Sequence, residues 1–355
     1  MSVTTSYPVK RKSGNQLSGK SILTWRLIQT IVWLVGVVIF VSLILYPELG
    51  ILLFWNILIP VAPALLVLSV GLWRNICPLA TTNLLPRHLN LSKQKIMAPF
   101  LQAKLSLVAV IALYLIVPLR HALFNTNGPA TAVLLFSCVA TGFTMGVFYD
   151  WKSGWCSSLC PIHPVEKLYG GNTITSLPNA HCGECVNCTV PCPDSTPNFH
   201  PALTNKITYN KISALLIIGG LPGFIWGWFH VPDHSTITNF SSFINIYKFP
   251  ITGLIATLSL YWLLQLFIKG IYKRTLISIF AASAVSCYYW YRIPALFGFG
   301  KFNNDGLLIN LTSLFSQTVI TVICSVITLF FFWWLVGRKS NHLSWVIRPE
   351  FKVKS

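Results

Sequence analysis

Residues 27–46 read LIQTIVWLVGVVIFVSLILY, a stretch that contains no charged side chain. An α-helix rises about 1.5 Å per residue, so a helix of this length spans about 30 Å, which is the thickness of a bilayer's hydrocarbon core. Such a helix buries its apolar side chains in lipid and satisfies its backbone hydrogen bonds internally. The stretch therefore predicts a membrane-spanning helix.

Further stretches of the chain have the same character. They cover residues 50–72, 100–117, 129–149, 212–229, 250–268, 276–291 and 314–336. The whole chain is 54% hydrophobic and only 10% charged, whereas soluble domains carry about 25% charged residues. This composition argues against a water-soluble enzyme, a disordered protein or a secreted disulfide scaffold. We predict an all-α integral membrane helical bundle of about eight transmembrane helices.

The charges of the chain are unevenly distributed. There are 26 Lys and Arg residues against 8 Asp and Glu. In an eight-helix topology all but four of the basic residues fall on one side, the exceptions being Arg120, Lys248, Arg292 and Lys301. Basic loops mark the cytoplasmic side of membrane proteins and contact anionic lipid, so no nucleic-acid partner is expected. We predict a multi-pass protein of the bacterial inner (cytoplasmic) membrane with both termini cytoplasmic.

The predicted spans divide the chain into five parts. These are a basic cytoplasmic tail (1–26), a first four-helix membrane half (27–149), a long loop (150–211), a second four-helix membrane half (212–336) and a second basic tail (337–355). A loop as long as 150–211 is usually functional or disordered. Six of the ten cysteines lie in this loop, which favours a functional role.

The second half of the loop reads Cys182-Gly-Glu-Cys185-Val-Asn-Cys188-Thr-Val-Pro-Cys192-Pro193. This is the C-x2-C-x2-C-x3-C-P spacing with which bacterial ferredoxins hold a [4Fe–4S] cluster, because two-residue gaps let three thiolates converge on one cube. Structural zinc sites usually use two separated cysteine pairs. Disulfides are disfavoured where thiols stay reduced. The motif therefore favours a cytoplasmic ferredoxin-like iron–sulfur loop domain over these two alternatives.

Two further Cys-Pro pairs extend the predicted ligand set. Cys156-Ser-Ser-Leu-Cys160-Pro161 repeats the last two positions of the motif, and Cys77-Pro78 follows the second span. The expected ligands of a first cluster are Cys182, Cys185, Cys188 and Cys160. Those of a second cluster are Cys192, Cys156 and Cys77, with His163, His181, water or another oxygen donor in the eighth position. The alternatives are that the second cluster is absent or is a three-iron species; we expect one or two [4Fe–4S] clusters, with two favoured.

Other residues within or beside the predicted spans indicate a structural or functional role less specifically than the cysteine motifs do. Three isolated cysteines are expected to pack as small buried hydrophobes: Cys138, Cys287 and Cys324. The aromatic residues around Trp226 and Trp228 are expected to form an interfacial belt. Ionisable groups beside the membrane are functional candidates, so His230, His234 and His121 are the candidates for a quinone or proton site on the non-cytoplasmic side.

The cysteine motifs together resemble those of the NapH/NosR-like family of membrane [4Fe–4S] ferredoxin-type proteins. The resemblance covers about half of the chain, from residue 27 to residue 193. It implies electron transfer between the quinone pool and periplasmic reductases or their maturation systems. The chain departs from the family pattern in three respects. Trp73 stands where a first cysteine is usual, only one complete ferredoxin motif is present, and four further predicted helices follow it.

The expected function is that of an integral-membrane electron-transfer protein, more an electron-transfer subunit than a stand-alone enzyme. It would relay electrons between a membrane donor, with quinol as the candidate, and a partner oxidoreductase. The alternatives are a membrane-bound redox-sensing or maturation factor and a transporter with a structural metal domain. Positive charge near an anionic cluster would raise its potential; Arg74, Lys152 and Lys167 are the expected sources.

Overall fold

The structure is a computed structural model that describes residues 18–95, 97–149, 152–181, 207–233, 240–268, 272–302, 305–338 and 346–347. The described chain is mostly helical. Its α-helices are α1 (Gly19–Leu45), α2 (Pro47–Ile51), α3 (Ile59–Leu68), α4 (Val70–Ile76), α5 (Pro78–His88), α6 (Pro99–Ile116), α7 (Gly128–Phe148), α8 (Ile162–Tyr169), α9 (Thr208–Leu215), α10 (Leu221–Trp228), α11 (Phe240–Phe267), α12 (Tyr272–Leu296) and α13 (Gln317–Phe332).

Several of these helices continue into tighter or wider turns. A 3-10 turn covers Pro118–Arg120, and π-helical stretches cover Leu52–Leu58, Lys152–Leu159, Leu216–Gly220 and Trp333–Gly337. The strands β1 (Leu177–Pro178) and β2 (Val346–Ile347) pair in parallel over two residues. This short pairing connects the long loop with the C-terminal end of the chain.

Seven helical stretches are long and apolar enough to cross a membrane. They are Gly19–Leu45, Pro47–Leu68, Pro99–Arg120, Gly128–Phe148, Thr208–Trp228, Phe240–Phe267 and Gln317–Gly337. The chain is therefore a multi-pass membrane protein by the length and composition of its helices. Each of these stretches overlaps one of the predicted spans.

The remaining predicted span, residues 276–291, differs from the other seven. It forms α12, which is long enough to cross a membrane but is not among the stretches apolar enough to do so. The helix carries Ser286 and Arg292, which are 4% and 2% exposed. These two polar side chains of α12 are therefore buried within the bundle, where they contact protein instead of lipid.

The largest group of buried apolar residues surrounds α12. The α12 side chains Ala282, Ala284 and Val285 are fully buried in this core. The core also includes residues of α10 and of the end of α13. Helices α10 and α11 approach closely because Gly223 and Gly253 face each other, and a Cβ at either position would collide with the backbone of the other. The second half of the membrane region is thus packed around one interior helix.

The described part of the long loop packs against the ends of the helices. It consists of the π-helical stretch Lys152–Leu159, α8 and β1. Residues 182–206 lie outside the described residues. A ferredoxin-like domain is therefore not among the described parts of the fold.

Candidate functional site

Both described Cys-Pro pairs lie at the start of a helix. Cys77 is the N-cap of α5 and Pro78 is its first residue, while Cys160-Pro161 directly precedes α8. Proline suits the first turn of a helix because its fixed φ is already helical and it has no N–H to leave unpaired. The nearby backbone N–H groups of Leu79 and Ala80 act to lower the pKa of the Cys77 thiol. Each Cys-Pro pair therefore sets its thiol at the positive end of a helix.

The three described candidate ligands meet in one place. Cys77 and Cys160 are half-buried against an apolar cluster to which Cys156, 6% exposed, belongs. Trp155 is a member of the same cluster. Cys138, from α7, also packs against it, so this cysteine is a neighbour of the site and not an isolated core residue.

Burial governs the ionisation of these thiols. It raises the pKa of Cys77 and raises the pKa of Cys160 to about 12. Nearby backbone N–H groups and the charge of Arg74 act to lower the pKa of both thiols but do not cancel the effect of burial. The thiols are therefore protonated at neutral pH and would ionise on binding a metal, because a coordinating thiol is deprotonated.

The described residues do not by themselves form a complete metal site. Among them, no group of three or more His, Cys, Asp or Glu side chains is arranged to hold a metal ion. The predicted ligands Cys182, Cys185, Cys188 and Cys192 lie outside the described residues.

A buried ion pair lies beside these cysteines. Arg74, in α4, donates from Nε to Glu166 Oε1 at 2.5 Å, and its Nη2 lies 2.7 Å from His163 Nδ1. Glu166 and His163 are both on α8. Because a guanidinium only donates, the short contact makes Nδ1 of His163 the acceptor and leaves its proton on Nε2. His163, one candidate for an eighth ligand, is thus oriented by Arg74.

Asn75 holds the chain just before the ferredoxin-type motif. Its Nδ2 donates to the carbonyl of Pro178 at 2.8 Å, and its Oδ1 accepts from the N–H of Ala180 at 3.2 Å. The next residue, His181, is 3% exposed. The last described residues before Cys182 therefore lie against the segment that carries Cys77.

A second polar cluster lies at the other end of the bundle. The carboxylate of Asp233 accepts from His121 Nδ1 at 2.6 Å and from Asn125 Nδ2 at 2.7 Å, and it lies 3.6 Å from Arg120 Nη2. Arg120 stacks between two indole rings, 5.3 Å from Trp55 and 5.1 Å from Trp228. Asp233 therefore contacts each of the three other polar side chains of this cluster.

The cluster borders a small cleft with an internal volume of about 30 Å³. Polar residues Arg292, Lys301 and Asp305 and the aromatic rings of Phe229 and Tyr291 line it, together with members of the cluster. Within the described structure, His121 Nε2 and the Nε atoms of Arg120 and Arg292 are buried and make no hydrogen bond. The cleft is therefore lined by polar and aromatic side chains, and three buried nitrogen atoms of its lining residues make no hydrogen bond in the described structure.

The charges of His121 and Asp233 are set by their surroundings. Burial lowers the pKa of His121 by more than the hydrogen bond and charge of Asp233 raise it. Burial of Asp233 acts to raise the pKa of its carboxyl, but Arg120 and the contact with His121 outweigh it and leave that pKa below the ordinary value. At neutral pH the pair is therefore a neutral imidazole hydrogen-bonded to a carboxylate.

The three predicted histidines do not share one environment. His121 lines the cleft, whereas His230 lies outside its lining and bonds through Nδ1 to the carbonyl of Trp226 at 2.7 Å. His234 lies outside the described residues. Sequence reasoning missed Arg292 and Asp305, although Arg292 and Arg120 both belonged to the few basic residues on the side otherwise poor in them. This uneven distribution of basic residues was the signal that could have identified Arg292.

The two clusters lie at opposite ends of α6. Near its start, Gln102 Nε2 donates to the carbonyl of Ser157 at 3.3 Å, beside Cys156. Beyond its end lie Arg120 and His121. The helix has 18 residues, so its ends are about 27 Å apart.

Comparison with the models of known protein families, with curated proteins and with solved structures finds no match to this chain.

Proposed function

We propose that the chain is an integral-membrane iron–sulfur protein that relays electrons between a membrane donor and a partner oxidoreductase. The observation that carries this proposal is that Cys77, from one segment, and Cys156 and Cys160, from another, pack at one buried apolar cluster. The ferredoxin-type motif follows directly after His181, which the contacts of Asn75 hold near the same place.

Two features of the described sulfurs support a [4Fe–4S] cluster. Cys77 is the N-cap of α5 and Cys160 lies two residues before α8, and nearby backbone N–H groups act to lower the pKa of both thiols. Backbone N–H groups and positive helix ends stabilise thiolates and tune a cluster's potential. Cys160 would complete a cluster with Cys182, Cys185 and Cys188, and Cys77 and Cys156 would serve a second with Cys192. The cluster supplies one-electron transfer; the protein supplies ligands, burial and local charge.

We further propose the orientation and the donor. The distribution of Lys and Arg supports a bacterial inner-membrane protein whose termini and cysteine site face the cytoplasm. A quinol donor would place one hydroxyl group at the opening of the cleft, where His121, paired with Asp233, is the group suited to take its proton. His230 is outside that cleft and is not part of this proposal.

Metal analysis of the anaerobically purified full chain tests the proposal. We expect iron and acid-labile sulfide in equal amounts, about eight irons per chain for two clusters or about four for one. Cys160→Ser should lower the iron content and change the low-temperature EPR signal. Cys324→Ser is the matched control, because Cys324 is 2% exposed in α13 and is not part of the cysteine cluster. Zinc without iron would overturn the assignment.

Reduction by quinol separates the relay from the alternative function. A cluster that short-chain quinol reduces rapidly and reversibly supports an electron relay. A cluster that quinol leaves oxidised, but whose loss changes binding of a partner enzyme, supports the redox-sensing or maturation factor instead. The measurement is the EPR signal or visible absorbance after anaerobic mixing.

A further inference from the structure

Two consecutive residues, Arg74 and Asn75, each contact a different cysteine-bearing segment. We infer that they are positioning residues of the cysteine site: Arg74 sets the helix that follows Cys160, and Asn75 sets the chain that leads into Cys182. This inference rests on the proposed iron–sulfur function for its consequence, but its geometry stands on contacts between described residues.

Arg74 fixes α8 with two contacts. Its guanidinium reaches Glu166 Oε1 at 2.5 Å and His163 Nδ1 at 2.7 Å. The two partners are three residues apart and therefore lie on one face of the helix. Contacts at two points fix the rotation of α8 as well as its distance from α4. Since Cys160 immediately precedes this helix, its sulfur position follows.

The ion pair is buried, so it is stronger as a constraint than a surface pair. Arg74 is 5% exposed and Glu166 is 2% exposed. Solvent screens such charges little, so removing one partner disrupts a buried charge pair and is costly. Lysine cannot replace the arginine, because one ammonium group does not present the planar fork that meets both partners.

Asn75 fixes the other segment through both ends of its amide. Nδ2 donates to the Pro178 carbonyl and Oδ1 accepts from the Ala180 N–H. The residue is 1% exposed, so water does not substitute for either partner. Aspartate would keep the acceptor and lose the donor, which sets a carboxylate against a carbonyl oxygen.

The two contacts meet at the end of α4, directly before Cys77. Arg74 and Asn75 are consecutive, and Cys77 caps the next helix. One turn of helix thus connects all three cysteine-bearing segments. A change at either residue should disturb the relative positions of the sulfurs without removing a sulfur.

The test compares Arg74→Gln, Arg74→Lys and Asn75→Asp with wild type in the anaerobically purified full chain. Partners that orient metal ligands typically contribute 10- to 100-fold to metal affinity, so we expect each variant to lose iron to a chelator about tenfold faster. The cluster that remains should show shifted EPR g values. Arg74→Lys should lose iron as fast as Arg74→Gln, because lysine keeps the positive charge but not the two-point contact geometry of the guanidinium.

Gln29→Leu is the matched control. Gln29 Nε2 donates to the backbone carbonyl of Asn75 at 3.0 Å, so this variant removes a hydrogen bond to the same residue and leaves both side-chain contacts intact. It should lose iron at the wild-type rate. Wild-type iron loss and g values in Asn75→Asp and Arg74→Gln would overturn the inference, as would wild-type behaviour of Arg74→Lys.

Thiol labelling keeps the inference separate from the iron–sulfur proposal. In metal-free protein with Cys160 as its only cysteine, Arg74→Gln should increase the rate of maleimide labelling about tenfold, on the scale of a lost orienting contact. Gln29→Leu should leave that rate unchanged. Absence of iron from wild type would refute the proposed function alone, whereas unchanged labelling would refute the positioning role of Arg74 alone.

Discussion

Glu166 sets a buried carboxylate against Arg74, close enough to Cys77 and Cys160 for its charge to act on both thiols. Arg74 was expected to raise the potential of a nearby cluster. The structure shows that its positive charge is compensated by this pair, so its net effect at the sulfurs is smaller than that of an isolated cation. The electrostatic tuning of the site therefore depends on the pair.

Neutralising the carboxylate should raise the cluster's midpoint potential. Glu166→Gln keeps an oxygen that accepts from Arg74 Nε but removes the negative charge of the carboxylate, which favours the more negative reduced cluster. We expect a positive shift of some tens of millivolts in an EPR-monitored redox titration. An unchanged or more negative midpoint would contradict this electrostatic account.

The pair of His121 and Asp233 should make the stability of the protein depend on pH. The pKa of His121 is lower in the folded chain than its ordinary value, so the unfolded chain binds more protons as pH falls from about 7 to about 5. Asp233, whose folded pKa is also lowered, acts in the same direction at lower pH. The melting temperature in detergent should therefore fall with pH.

His121→Gln tests which group is responsible for the first part of that fall. The variant keeps hydrogen-bonding capacity towards Asp233 but does not titrate. Its melting temperature should change less than that of wild type between about pH 7 and pH 5. A full wild-type slope in this variant would assign the pH dependence to other groups.

At the scale of elements, the position of α5 depends on its close packing with α7. Asn83 Nδ2 donates to the carbonyl of Gly142, and a Cβ at Gly146 would collide with the Asn83 carbonyl. Since α5 begins at Cys77, the separation of these helices influences the cysteine site. Short local signals, such as proline at the start of α5, predict the helix; its contact with α7 does not follow from them.

A larger side chain at position 146 should separate the two helices. Gly146→Val is expected to destabilise the folded chain by about 1–3 kcal/mol, the usual cost of overpacking, and to lower its iron content. Gly36→Ala is the control, since its Cβ would find no atom closer than 3.9 Å. Equal melting temperatures of the two variants would contradict this account of the packing.

At the scale of the whole molecule, the cysteine site and the polar cleft lie about one membrane-spanning helix apart. An electron relay that starts at the cleft would have to cross that distance of about 27 Å. The expected orientation assigns the cysteines to the cytoplasm and the cleft to the other side.

Site-directed labelling tests that arrangement. His88→Cys, at the end of α5, should react with a membrane-impermeant maleimide only after cells are opened, whereas Lys301→Cys, beside the cleft, should react in intact cells. Wild type provides the background from native thiols. Labelling of both positions from the same side would contradict the two-sided arrangement.

The sequence by itself determined seven of the membrane-spanning helices, because each depends on the apolar length of one short stretch. Only the tertiary structure shows that Arg74 forms an ion pair with Glu166 and that Asp233 contacts both His121 and Arg120. Only the tertiary structure likewise shows that α12 is an interior helix. These outcomes join segments far apart in the chain, and the burial that makes such contacts strong exists only after the helices have packed.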